Sequence, residues 1–203
     1  MNPAINVLVT TVVFCSLVGA VRRGRSEAWA AARRVRPKDV LGTLLVLPVV
    51  MVTGGALSLL PVLGWGWWSS IGGKGSVVFS GTGGNRGVAV LLLLLIAVAV
   101  PELALREEET FRKDSERRSP AANSGWALLF GSVHAFMGIP IGYALALSVA
   151  GFYFTYRYLR AYRRAGRETA RRAALDASTT AHIAWNWTLL LLVLTMTLTG
   201  TIG

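Results

Sequence analysis

The sequence is poor in charge and in cysteine. Charged residues make up 15% of the 203 residues, whereas 53% are hydrophobic, and the mean hydropathy is +0.52. This composition excludes an ordinary soluble globular domain. Cys15 is the only cysteine, so an internal disulfide is excluded. The long apolar runs lack strict alternation of apolar and polar residues, which argues against a membrane β-barrel and leaves helices.

The apolar runs predict helices that cross a membrane, since a span needs about 20 mostly apolar residues. There are six such runs. The fourth is short, and Gly138-Ile139-Pro140 separates it from the fifth. We therefore predict an all-α protein, a polytopic transmembrane helix bundle with about six membrane helices, in which residues 1–203 form a single integral membrane domain. The six runs are 3–20, 40–62, 87–105, 125–139, 141–160 and 178–200.

The positive charge is concentrated in three segments. The net charge is +11, yet every Lys and Arg except Lys74 and Arg86 lies in 21–39, 106–118 or 157–172. With the N-terminus outside, six spans would place all three segments in the cytoplasm, as the positive-inside rule requires. We expect a multi-pass protein of a bacterial cell (inner) membrane whose basic segments contact the lipid bilayer, with no nucleic-acid partner.

Three further segments carry expectations of their own. The first run has no positive residues before it, which favours an N-out first helix over a cleaved signal peptide. Residues 21–39 fit either a short amphipathic helix on the membrane surface or a plain basic loop. The glycine-rich stretch 63–86 carries three tryptophans and is expected to be a flexible outer connection near the membrane interface.

Ionisable residues inside membrane segments are functional candidates because burying them is costly. Both histidines of the chain, His134 and His182, fall in predicted membrane segments, and three consecutive glutamates follow the third run. Glu108 and Arg112 are four residues apart and can form an ion pair on one helix face. Glu107 then projects about 100° away and stays available for proton transfer. Glu109 is expected to be solvated.

Three spaced motifs lie on three of the predicted helices. They are Glu-Glu-x-x-x-Arg at Glu107, Glu108 and Arg112, Phe-x-x-x-His at Phe130 and His134, and His-x-x-x-Asn at His182 and Asn186. A shifted register of the first motif, with Glu108 and Glu109 followed by Lys113, is also open, but Phe111-Arg112 favours the first register. With these motifs in this order the chain resembles the CPBP (Abi, CaaX-processing) family of glutamic-type intramembrane proteases, which implies an Rce1-like core over about 87–200.

The resemblance implies a role for each motif residue. Glu107 would activate a water as general base, and His134 would hold and polarise that water. His182 and Asn186 would donate to the oxyanion that develops during hydrolysis. The supporting residues are Glu108 and Arg112, as a structural pair that orients Glu107, and Phe130, as packing against His134.

Metal dependence stays open at this point. No cofactor is required if Glu107 activates the water directly, and the zinc-protease motif H-E-x-x-H is absent. Divalent zinc held by Glu107, His134 and His182 is the alternative.

The leading hypothesis is therefore hydrolysis of a peptide bond near the inner membrane boundary of a membrane-anchored protein substrate with an inserted or lipid-bearing tail. The short chain also resembles the bacterial subgroup called myxosortases, which implies removal of C-terminal sorting tails from surface proteins. A non-catalytic member of the same family, acting in bacteriocin immunity or as a scaffold, is the alternative. A membrane cytochrome with His134 and His182 as axial haem ligands is a third hypothesis.

Overall fold

The computed structural model describes residues 3–22, 24–67, 86–166 and 168–199. Within these ranges all regular secondary structure is helical, which confirms the all-α prediction. Two short 3-10 helices, Ser115–Arg117 and His134–Met137, lie before and after the α-helix Pro120–Val133. The α-helices are α1 (Pro3–Arg22), α2 (Ser26–Ala32), α3 (Pro37–Ser58), α4 (Arg86–Phe111), α5 (Pro120–Val133), α6 (Ile141–Arg164) and α7 (Ala170–Thr199).

Three helices are long and apolar enough to cross a membrane. Their segments are Pro37–Ser58, Gly87–Arg117 and Ala170–Thr199. The runs at 3–20, 125–139 and 141–160 also form helices, but within the described residues these helices do not combine the length and hydropathy of a span. A helical membrane protein is thus supported, and the number of six spans stays a prediction.

Local signals explain the bounds of α5. The Ser119 side chain accepts a hydrogen bond from the backbone N–H of Ala122 at 3.2 Å, and Pro120 opens the helix where no N–H partner is needed. At the other end Gly138 has φ 85°, a conformation that glycine adopts without strain. The predicted interruption between the fourth and fifth runs is therefore confirmed as a turn.

Helix α6 lies at the centre of the packing, against α3, α5 and α7. Small residues let α5 and α6 approach closely. A Cβ placed on Gly131 would lie 2.3 Å from Ser148 Oγ, and one placed on Gly151 would lie 2.9 Å from the Ala127 carbonyl oxygen. This close approach sets the rotation of α5, and so decides which of its side chains face the interior.

The three basic segments meet at one end of the bundle. We call it the basic end, formed by α2, the C-terminal ends of α4 and α6, and the N-terminal ends of α5 and α7. The six predicted spans would also place the three basic segments on one side of the membrane, although the clustering does not identify which side. The ion pairs that join the segments are Arg25–Glu109 at 3.0 Å, Arg34–Asp176 at 2.5 Å and Arg171–Glu116 at 2.8 Å.

The structure describes the segment 21–39 almost completely, but it describes only part of the glycine-rich stretch 63–86. Within 21–39 the chain forms α2, whose Ala28 and Ala31 are buried while Trp29 is exposed, so a short helix is present rather than a plain loop. Of the glycine-rich stretch 63–86, residues 68–85 lie outside the described residues. The expectation of a flexible outer connection therefore stays a prediction.

Candidate active site

The candidate site lies where α4, α5 and α7 meet, with α6 behind it. Helix α4 supplies the glutamates in its last turns, α5 supplies Phe130, and α7 supplies His182 twelve residues after its start. His134 follows α5 as the first residue of the 3-10 helix. The structure brings together the motif residues from all three predicted helices except Asn186.

Glu108 and Arg112 form the ion pair that their spacing predicts. Arg112 Nη1 lies 3.4 Å from Glu108 Oε1, and the two side chains are 1% and 0% exposed. Lys113, which the shifted register would place in this role, is exposed. The structure therefore agrees with the first register of the motif.

His182 contacts both carboxylates, a contact that the spacing did not predict. Its Nδ1 lies 2.8 Å from Glu108 Oε1, and its Nε2 lies 3.6 Å from Glu107 Oε2. An ionised carboxylate only accepts hydrogen bonds, so Nδ1 carries the hydrogen that it donates to Glu108. Nε2 is then the nitrogen left for chemistry, and it faces Glu107. Glu108 thus orients His182 directly, whereas we expected it to orient Glu107.

His134 is held in the same tautomer by a different partner. Its Nδ1 lies 2.7 Å from the backbone carbonyl of Phe130, which can only accept, so Nδ1 is the donor and Nε2 is free for chemistry. The ring is close enough to Glu107 and His182 to interact electrostatically with both. Each histidine is therefore anchored through Nδ1 and has a free Nε2, and the Nε2 of His182 faces Glu107.

Aromatic rings enclose the buried charges. Phe130 contacts His134 and His182 edge to face, with centroid distances of 4.9 and 5.6 Å. The Arg112 guanidinium lies 4.0 Å from the centroid of Phe130, within the range of a cation–π contact. Phe154 of α6 stacks on His182 at 4.5 Å with an interplanar angle of 18°. The expectation that Phe130 packs against His134 is confirmed, and Phe130 also covers Arg112.

Sequence reasoning did not place Phe154 at the site. Nothing in the spacing of the aromatic residues of α6 separates Phe154, which is buried, from Phe152, which is exposed. Gly151, three residues earlier on the same face, is the nearest signal, since it marks the side of α6 that approaches α5.

Several polar atoms at the site have no hydrogen-bond partner among the described residues. They include Glu107 Oε2, Glu108 Oε2 and Arg112 Nη1, all of them buried atoms. Buried polar atoms are almost always satisfied by protein or water. Three in one place therefore mark a point where a polar reactant such as water is favoured.

Glu107 differs from its neighbours in exposure. Its side chain is 36% exposed, whereas that of Glu108 is 0% exposed. A partly exposed carboxylate can exchange protons with a substrate or with water, whereas a fully buried and paired one cannot. This difference matches the predicted division between a reacting and a supporting glutamate.

Asn186 is half-buried one helix turn beyond His182. In the described part of the chain its side chain has no hydrogen-bond partner, so no hydrogen bond joins it to the other motif residues. Its predicted role as an oxyanion donor stays a prediction.

Two further glutamates of α4 tie the basic end together. Glu109, which we expected to be solvated, instead pairs with Arg25 at 3.0 Å and is 34% exposed. Glu102 is buried, accepts from the backbone N–H of Arg25 at 2.9 Å and pairs with Arg106 at 2.6 Å. These contacts hold the start of α2 against α4. Of the two motif glutamates, Glu108 has a salt bridge to an arginine, whereas Glu107 has none to any arginine that the structure describes.

The histidines bear on the zinc and haem hypotheses. Over the described ranges no group of three His, Cys, Asp or Glu side chains is arranged to hold a metal ion. The Nδ1 atoms of both histidines are hydrogen-bonded, so Nε2 is the atom that would ligate zinc or haem iron. The zinc and haem hypotheses stay predictions, and we derive no chemical step through a metal.

The depth of the fourth run explains how its residues reach the glutamates. Helix α5 begins at Pro120, earlier than the predicted residue 125, so its first turns lie beside the end of α4. Asn123 donates to the carbonyl of Ser115 at 3.0 Å, and the Phe111 and Trp126 rings contact at 6.1 Å. The early start, rather than a break in α4, places Phe130 and His134 at the level of Glu107.

A comparison with protein-family models, a search of curated proteins and a search of solved structures each returned no match. The resemblance to the CPBP family therefore rests on the three motifs and stays a prediction.

Proposed function

We propose that the chain is an intramembrane endopeptidase that uses Glu107 to activate water. The observation that carries this proposal is the imidazole of His182, which contacts the paired Glu108 through Nδ1 and faces the unpaired Glu107 through Nε2. A reacting carboxylate, an oriented imidazole and a second imidazole within electrostatic range are the parts that general acid–base hydrolysis needs. The order of the three motifs supports the same function.

The proposed reaction balances with these residues alone. Glu107 takes a proton from a water that also donates to His134 Nε2, and the resulting hydroxide attacks the carbonyl carbon of the peptide bond. His182, as an imidazolium, donates from Nε2 to the oxyanion, with Asn186 as a second donor. Glu107 then passes its proton to the leaving nitrogen, the C–N bond breaks, and the products are a carboxylic acid and an amine. The acid then gives its proton to the amine, which leaves a carboxylate and an ammonium.

The proposed oxyanion step needs His182 as an imidazolium, with a hydrogen on both ring nitrogens. Glu107 and Glu108 bring two negative charges into a site where Arg112 supplies one positive charge. Arg112 is 1% exposed, so water screens this cluster poorly. A protonated His182 between the two carboxylates makes the local charge neutral, and it also provides the N–H that the oxyanion requires.

In this proposal the chain is a multi-pass protein of a bacterial inner membrane with about six spans and the Rce1-like core of the CPBP family. The basic end is cytoplasmic by the positive-inside rule, which places the bond that is cut near the inner boundary. The substrate is a membrane-anchored protein with an inserted or lipid-bearing tail, and the proposed product of cleavage is a protein that has lost its C-terminal sorting tail.

The decisive experiment compares Glu107→Gln with Glu109→Gln in the native cell. Both variants remove one carboxylate from the same helix without changing its size, but Glu109 pairs with Arg25 and has no contact with either histidine in the described structure. Mass spectrometry of membrane and surface proteins should show uncleaved C-terminal tails with Glu107→Gln and normal termini with Glu109→Gln. Equal termini in the wild type and in Glu107→Gln would refute the proposal.

The second candidate is a non-catalytic membrane partner of the same family. The complete burial of Glu108 and Arg112 favours it, because such a cluster can also serve only to join helices. In that case deletion of the gene changes the phenotype, whereas Glu107→Gln does not. The same set of strains therefore separates the two functions.

A further inference from the structure

A cavity of about 830 Å³ opens at the basic end, between α2, the end of α4 and the start of α7. Its floor is apolar and includes Ala30, Ala31, Leu105 and Leu175. None of the residues to which we assign a role in hydrolysis lines it. The cavity is large enough for part of a lipid, and it has no part in the proposed reaction.

The rim of the cavity carries an excess of unpaired positive charge. Arg34 is neutralised by Asp176, and Arg171 by Glu116, within the described structure. Three other rim residues, Arg33, Lys113 and Arg172, have no salt bridge to any described residue. Glu27 and Glu109 are the remaining acidic residues of the lining, and Glu109 forms a salt bridge with Arg25. The net effect is a site that attracts an anion.

A buried hydroxyl in the wall of the cavity gives an independent indication of a ligand. Thr179 is 0% exposed, yet its Oγ1 has no hydrogen-bond partner among the described residues. The next residue, Thr180, instead donates to the carbonyl of Ala177 at 3.1 Å, a common way for a helical threonine to be satisfied. A buried hydroxyl that does not bond to its own helix is available to donate to a ligand in the cavity.

We infer that this cavity binds an anionic phospholipid, with the phosphate between Arg33, Lys113 and Arg172 and the start of an acyl chain on the apolar floor. Guanidinium and ammonium groups suit a phosphate oxygen, and Thr179 supplies a neutral donor. An anionic lipid of the membrane meets both the charged rim and the apolar floor, whereas free phosphate meets only the rim. The inference does not depend on the proposed protease activity.

The test uses the purified full-length chain in a non-ionic detergent. Phosphatidylglycerol and the net-neutral phosphatidylcholine are titrated separately, and bound lipid is counted by native mass spectrometry. The variant Arg33→Gln/Lys113→Gln/Arg172→Gln is compared with Arg160→Gln/Arg163→Gln/Arg164→Gln. The second triple removes the same charge from the same end, but its residues line a separate cavity between α5 and α6.

We expect phosphatidylglycerol to bind more tightly than phosphatidylcholine. The first triple should weaken phosphatidylglycerol binding by about 100-fold, since each cation near an anionic lipid contributes roughly fivefold. The control triple should leave it within about threefold, and Thr179→Val should weaken it by about threefold to tenfold through one lost hydrogen bond. Unfolding temperatures measured without lipid identify any variant that fails to fold. If the first triple variant does not fold, the effect of Thr179→Val on phosphatidylglycerol binding decides the test.

Three results would overturn the inference. Equal loss of binding in both triples would mean diffuse surface attraction rather than a site. If phosphatidylglycerol binding is unchanged both in Thr179→Val and in the first triple variant, the lipid binds elsewhere. Inorganic phosphate that raises the unfolding temperature as much as phosphatidylglycerol would reassign the cavity to a free anion.

Discussion

The buried pair of Glu108 and Arg112 makes a large and specific stability prediction. Glu108→Gln keeps the shape of the side chain and an oxygen that can still accept from His182 Nδ1. It removes the only carboxylate within 4 Å of Arg112 in the described structure, and the guanidinium is 1% exposed. An unpaired buried charge costs about 3 to 5 kcal/mol. Glu107→Gln should cost less than about 1 kcal/mol, because Glu107 is 36% exposed and has no salt bridge to an arginine among the described residues.

The assay is thermal unfolding of the purified protein in detergent. For a chain of this size 1 kcal/mol corresponds to roughly 2 to 4 °C in Tm, so Glu108→Gln should lower Tm by about 6 to 20 °C and Glu107→Gln by less than about 4 °C. The double variant Glu108→Gln/Arg112→Gln should recover at least about 2 kcal/mol relative to the sum of the single variants, because both charges are then removed. If the two single glutamate variants unfold at equal temperatures, or if the double variant shows additive losses, Glu108 and Arg112 do not form the energetic pair that their geometry indicates.

Two further predictions concern the histidines and the close packing of α5. Under the proposed function, His134→Ala and His182→Ala should each lower proteolytic turnover by at least about 100-fold while membrane insertion is unchanged, since the proposed reaction assigns the Nε2 of one ring to the water and that of the other to the oxyanion. Wild-type turnover by either variant, measured on a cleaved membrane substrate, would remove that residue from the proposed mechanism. Gly131→Ala should destabilise the fold by about 1 to 3 kcal/mol, because its Cβ would lie 2.5 Å from the backbone nitrogen of Ser148. Gly125→Ala is the matched control on the same helix, since its Cβ meets nothing within 4 Å, and it should be neutral or slightly stabilising. Equal unfolding temperatures for the two glycine variants would contradict the close packing of α5 on α6.

Local features of this protein followed from its sequence. Each of the six apolar runs contains a helix, the turn at Gly138 separates the fourth run from the fifth, and Glu108 pairs with Arg112. These features depend on hydrophobicity over a short window, on the conformational freedom of glycine, and on the four-residue repeat of a helix face. Their causes lie within a few residues of chain, so no knowledge of the neighbouring helices was needed.

The composition of the site was decided by tertiary structure. His182 lies between Glu107 and Glu108 because α4 and α7 pack at one particular rotation and depth. Phe154 stacks on His182 because α6 packs against α7, and Gly151 lets the same helix approach α5. The rotation and depth of one helix against another depend on small residues and buried charges along the whole contact. Helix spacing thus predicted which residues share a face, but only the packed bundle determined which faces meet.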